Sequence, residues 1–110
     1  MFTSNYNKGF NLRFDNGHAI SVQWGKGNYC SNRDTNDDSI KETNWEASTA
    51  EVLIYSPDEE IDGKIDFGEP GNILGWMNSD EVGQLISIVS SSKNVYELNL
   101  EIFNLIRKNK

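Results

Sequence analysis

Three groups of residues in this 110-residue chain have the types and spacing to do chemistry. The first is acidic. From Asp58 the chain reads Asp58-x-Glu60-x-Asp62-Gly63-x-Ile65-Asp66-x-x-Glu69, the spacing of a calcium loop. Hard carboxylate oxygens at alternate positions, with a glycine for the sharp turn, are what calcium coordination requires. Against calcium stand Glu60 in place of a shorter acid, Pro57 where an entering helix belongs, and Pro70-Gly71 where an exiting helix belongs. The bland alternative is an acidic hairpin turn. The second group pairs Cys30 with His18, the one histidine, as a thiolate and its base. About twelve residues of extended chain at roughly 3.3 Å each separate them, so nucleophilic catalysis is not expected.

The third group is the run Trp24-Gly25-Lys26-Gly27-Asn28-Tyr29, followed by Arg33. Glycines let backbone amides turn toward an anion, Lys26 and Arg33 supply positive charge, and an aromatic ring can stack on a base. Asn28 and Asn32 can read a base edge. The run is not a P-loop, and no helix follows it. Its competing explanation is a glycine-permitted turn leaving a hairpin. Trp24, Trp45 and Trp76 add a large aromatic payload. One buried tryptophan is ordinary core, whereas an exposed Trp or Tyr beside this loop would be a binding anchor. The candidate ligand-binding set is therefore Trp24, Lys26, Asn28, Tyr29, Arg33 and Trp45. The candidate metal set is Asp58, Glu60, Asp62, Asp66 and Glu69.

These residues must be positioned by a small number of elements. Phe10, Leu12 and Phe14 alternate with polar residues, as do His18, Ile20, Val22 and Trp24, predicting a hairpin over 9–24. A two-residue Asn16-Gly17 turn would set apolar side chains against polar ones. A three-residue turn with Gly17 left-handed instead pairs Phe14 with His18, Leu12 with Ile20 and Phe10 with Val22. Residues 25–48 lose periodicity and read as an irregular loop. Ala50, Val52 and Ile54 share one face of a strand over 49–55, with Leu53 and Tyr55 on the other, which predicts a central strand or one covered by a helix. Lys64 to Phe67 predicts a short returning strand, and Ile73 to Trp76 a further one. Val82, Leu85, Ile86 and Val89 predict a helix over 79–92, capped by Asn78 or Ser79. Asn94 with Glu97 resembles a capping box for a second helix over 94–108. Its stripe is Val95, Leu98, Ile102 and Leu105. Leu100, Phe103 and Ile106 widen the apolar girth, which invites self-association through 94–108 as well as packing within the chain.

The composition excludes several classes. Hydrophobic residues make up 36% of the chain, enough for one globular domain over 1–110. No apolar run reaches the roughly 18 residues of a membrane span, and no leader pattern opens the chain. A single cysteine suits a reducing cytoplasm. The net charge of −7 argues against direct nucleic-acid binding. That charge is concentrated: residues 41–92 carry two lysines against eleven acids, a net of −9. A charge asymmetry of this kind suits a contact surface for a basic partner.

Residues Asn16-Gly17-x-x-Ile20-Ser21-Val22-Gln23-Trp24-Gly25-x-Gly27-Asn28-Tyr29-Cys30, the Ala50-Glu51-Val52 strand and the Gly75-Trp76-x-x-Ser79-x-Glu81-Val82 segment make the chain resemble a group of small acidic phage-encoded proteins. The resemblance covers about residues 9 to 90. It carries no activity and no site residue. It implies a context, that of accessory factors such as inhibitors of bacterial defence and proteins that sequester nucleotide signals. The expectation is an α+β fold, a small antiparallel sheet with an N-terminal hairpin and two C-terminal helices. The expected function is non-enzymatic and cytoplasmic: inhibition of a host protein through an acidic and aromatic surface. A sponge for a nucleotide signal and a calcium-binding loop are the alternatives. No cofactor is expected apart from that calcium.

Overall fold

In a computed structural model of the chain, residues 1–4, 8–34, 46–57, 63–69 and 72–108 are described. The hairpin forms in the predicted register. Strands β2 (Gly9–Arg13) and β3 (Ala19–Gln23) pair Phe10 with Val22 and Leu12 with Ile20. The Phe14 N–H donates to His18 O at 3.0 Å, and Gly17 takes a φ of +89°. Only a three-residue turn keeps Phe10, Leu12, Ile20 and Val22 on one face, so burial of that face selects the turn. Asn16, at the tip, accepts the His18 N–H and donates from Nδ2 to Val89 O and Ser92 O. The turn thereby satisfies two carbonyls at the end of a helix far along the chain.

Strand β1 (Phe2–Ser4) pairs antiparallel with β2, an element with too few apolar residues to be legible beforehand. Strands β4 (Ala50–Tyr55) and β5 (Ile73–Met77) complete a five-stranded antiparallel meander in the order β1-β2-β3-β4-β5. The 49–55 strand is interior, paired with β3 on one side and β5 on the other and covered by the helices on one face, while β3 holds the middle place. Leu53 on the second face of β4 is 37% exposed, so that apolar position does not mark a covered face. Nor do residues 64–67 form the predicted returning strand. Ile65 and Phe67 are buried, at 3% and 2% exposure, but they enter the core from an irregular segment. Asn99 supplies the hydrogen bonds a strand would have made, donating to Lys64 O and accepting the Asp66 N–H.

Helix α1 (Ser79–Ser91) begins at Asn78, whose Oδ1 accepts the Glu81 N–H while Glu81 Oε1 accepts the Asn78 N–H. This reciprocal box satisfies two otherwise unpaired donors. In α2 (Val95–Lys108), Asn94 Oδ1 accepts the Glu97 N–H. Both helices lie on one face of the sheet. Val82, Leu85 and Val89 of α1, with Val95, Leu98, Ile102 and Leu105 of α2, join Ile20, Val22, Val52, Ile54 and Leu74 in one core. His18 is fully buried beside that core, with Nδ1 2.8 Å from Ser56 Oγ. The architecture is α+β. Among the described residues no helix is long and apolar enough to cross a membrane.

Candidate interaction site

On the sheet face opposite the helices, the chain leaving β3 turns back across β4 and β5. Glu51 holds it there. Glu51 Oε2 accepts the Tyr29 N–H at 2.7 Å, and Oε1 accepts from Asn28 Nδ2 at 3.4 Å. An anion does sit in the glycine-bearing loop, and it is the protein's own carboxylate. Five further amides are also engaged: Gly25 N–H with Asn28 Oδ1, Gly27 N–H with Arg33 O, Asn28 N–H with Gly25 O, Cys30 N–H with Asn28 O, and Ser31 N–H with Thr49 Oγ1. Asn32 Nδ2 donates to Trp24 O and Glu46 O, tying the loop to the chain that enters β4. Loops on sheet faces need such internal partners, because an unpaired buried amide is costly.

The loop meets β5 at an irregularity. Ala50 pairs with Met77 but Val52 pairs with Leu74, so the register shifts by one and β5 carries an extra residue opposite Glu51. Trp76 lies in this bulge with a φ of +52°, left-handed backbone that a bulky residue adopts only at a cost of roughly 1–2 kcal/mol. Its N–H donates to Tyr29 O at 2.8 Å. Gly75 is required beside it, since a Cβ there would come within 2.9 Å of Tyr29 Cβ. The Trp76 ring is turned outward, 55% exposed, and stacks on Tyr29 with centroids 5.6 Å apart and planes at 28°. The Arg33 guanidinium lies 5.5 Å from the Tyr29 centroid and forms a surface ion pair with Asp34 at 4.0 Å. Strained backbone beneath an exposed aromatic is the arrangement found at binding surfaces rather than in cores.

Trp76 separates two hollows. On one side a polar groove of about 510 Å³ is lined by Cys30, Ser31, Asn32, Arg33 and Asp34. On the other, about 230 Å³ lies between Leu74, Leu105 and Ile106, with Glu69 and Glu81 at its border. The corner presents cation, aromatic, apolar and carboxylate in sequence along one edge of the sheet. Cys30 is not its nucleophile. Its thiol is buried with Sγ 3.6 Å from Gly25 O, and burial raises its pKa, reinforced by the Glu51 carboxylate against the lowering effect of the Asn32 backbone hydrogen bond. A thiol kept protonated is a poor nucleophile.

Of the six candidate ligand residues, the structure joins Tyr29 and Arg33. Asn28 is half-buried, with its carboxamide engaged in the loop, and Lys26 is exposed. Trp24 packs edge-on against Phe10 at 6.1 Å and lines a separate apolar cleft of about 500 Å³ with Val22, Ala50 and Val82. Trp45 lies outside the described residues, as do Asp58, Glu60 and Asp62 of the candidate calcium loop. Of that loop's described acids, Asp66 Oδ1 accepts the Gly68 N–H at 3.1 Å and Glu69 borders the hollow beside Trp76. Among the described residues no three His, Cys, Asp or Glu side chains are grouped to hold a metal ion. The site residue that sequence reasoning left out is Trp76. Its signal was present: Leu74 and Met77 are three apart, a spacing no regular strand can bury on one face, so an inserted residue was implied between them. No protein-family model, curated protein or solved structure matches the chain.

Proposed function

We propose that this chain is a non-enzymatic binding protein, a phage accessory factor that inhibits a host protein, anchored by Trp76, Tyr29 and Arg33. The observation that carries this reading is Trp76 itself, more than half exposed on left-handed backbone and braced by the Tyr29 ring. Trp, Tyr and Arg are the residues that most often dominate protein interfaces, and a pre-stacked pair loses little freedom on binding. The acids concentrated in residues 41–92, a net of −9, favour a partner with basic side chains around an apolar contact. A protein partner is preferred to a sequestered nucleotide. The Gly25, Gly27, Asn28 and Tyr29 amides that would cradle phosphate, and the Asn28 and Asn32 carboxamides that would read a base, are engaged within the chain.

The experiment is affinity capture from a bacterial lysate with the wild-type chain and Trp76→Gly side by side. The expected result is one stoichiometric protein retained at low salt, weakened by added salt, and lost with Trp76→Gly or Tyr29→Ala. Retention that is indifferent to both substitutions overturns the reading. A nucleotide-induced rise in melting temperature, reversed by Arg33→Ala, would replace it with sequestration.

A further inference from the structure

Helix α2 carries two apolar stripes, and the core needs one of them. Val95, Leu98, Ile102 and Leu105 are buried in the core. Tyr96, Leu100, Phe103 and Arg107 follow at intervals of four, three and four residues on the outer side. Tyr96 is 73% exposed, Leu100 45% and Phe103 41%. Alternating steps of four and three are the spacing by which one helix seats against another. The stripe is also rigidly framed. The Asn99 hydrogen bonds to Lys64 and Asp66 fix the neighbouring segment, so that Asp66, Phe67 and Gly68 wall a hollow of about 350 Å³ along it. Nothing in this arrangement belongs to the Trp76 corner.

We infer that the outer face of α2 docks a second copy of this chain, helix against antiparallel helix about a two-fold axis. Charge selects that occupant and that direction. Glu97 lies in the first turn of α2, and Arg107 and Lys108 lie in the last. In an antiparallel pair, Leu100 of each copy sits opposite Phe103 of the other, and Tyr96 sits opposite Arg107. Glu97 then falls within one residue of the level of the facing Arg107, and the helix dipoles oppose. Arg107 already lies 5.6 Å from the Phe103 centroid in the single copy, so it is poised over the stripe. A parallel pair would instead place Glu97 on Glu97 and Arg107 on Arg107. The area is small. Four side chains from each copy, all already part-covered, give a contact at or below the roughly 1,200 Å² lower limit of stable interfaces, hence a weak dimer.

Sedimentation equilibrium of the whole chain tests this. The mass should rise from 12.5 kDa toward twice that value as the concentration is raised to about 500 µM, the range that reads a weak dimer. Leu100→Glu should hold the protein at the single-copy mass throughout, with its unfolding midpoint at low concentration unchanged. Tyr96→Glu is the second variant, because a side chain 73% exposed adds little to the fold. Glu97→Arg and Arg107→Glu should each weaken association about tenfold, and the two together should restore it. A constant mass for the wild type up to about 500 µM overturns the inference. Association that survives both Leu100→Glu and Tyr96→Glu also overturns it. Failure of the charge-exchanged double variant to recover overturns the antiparallel arrangement.

Discussion

On the helix-covered side of the sheet, Ile20, Val22, Val52 and Ile54 meet across neighbouring strands and lie almost entirely out of solvent. On the opposite side the same strands present Ser21, Gln23 and Glu51, and among the described residues the chain that crosses them is a loop held by directed hydrogen bonds. The first side is built from a non-directional effect proportional to area. The second depends on a few groups at fixed distances, and it leaves Trp76 and Tyr29 in solvent. The two sides should therefore fail differently under substitution.

The largest effect is expected on the covered side. Leu85→Ala or Ile102→Ala should lower unfolding free energy by about 2–5 kcal/mol, read by urea denaturation, because both side chains are fully buried. A cost below about 1 kcal/mol would mean that the helices do not pack as described.

On the open side, Glu51→Ala removes the acceptor for Tyr29 N–H and Asn28 Nδ2. The expected cost is about 1–3 kcal/mol, with amide exchange accelerated over residues 25–33 and unchanged in α1 and α2. Exchange accelerated equally everywhere would erase the distinction between the two sides. Glu51→Gln, which keeps one acceptor oxygen, should cost less.

A smaller effect follows from Cys30. Because burial raises its pKa, the folded thiol keeps its proton to higher pH than the unfolded one. Stability is then fully present below about pH 8.5, where an unfolded thiol begins to ionise, and declines as pH rises through that value toward the folded one. Chemical denaturation between pH 7 and pH 10 should show this decline in the wild type. Cys30→Ala should remove the thiol's share of it.

The smallest change in stability is expected at the exposed aromatic of the loop corner, Trp76. Trp76→Gly relieves left-handed backbone worth roughly 1–2 kcal/mol and loses a stacked pair worth roughly 0.5–1.5 kcal/mol. The net should lie within about 1 kcal/mol of zero, while partner retention is lost. A variant clearly more stable yet unable to bind would sharpen the contrast, since it would show strain maintained for the surface. A variant that unfolds would make Trp76 part of the framework.

The hairpin register, the two helices and the Asn94 cap were legible in the residues themselves, because each follows from neighbours in sequence. Between Asn78 and Ser79 as the first cap the residues do not choose, and the structure places the box at Asn78. Burial of Phe10, Leu12, Ile20 and Val22 on one face leaves one turn length at Asp15-Asn16-Gly17, and Asn78 with Glu81 closes its box within one helical turn. The α+β class follows from strand periodicity giving way to helical periodicity along the chain. The irregular segment at 64–67 was read as a strand because Ile65 and Phe67 alternate correctly. Only Asn99, more than thirty residues on, shows that their hydrogen bonds go elsewhere. The middle place of β3 and the union of Tyr29, Arg33 and Trp76 came from tertiary structure alone. Strand order and a contact between residues 29 and 76 depend on how distant segments close upon one another, and local periodicity carries no information about that. The same is true of Glu51. In sequence it is one acid among eleven in the middle of the chain, and in the fold its carboxylate occupies the loop that the glycines had seemed to open for an anion.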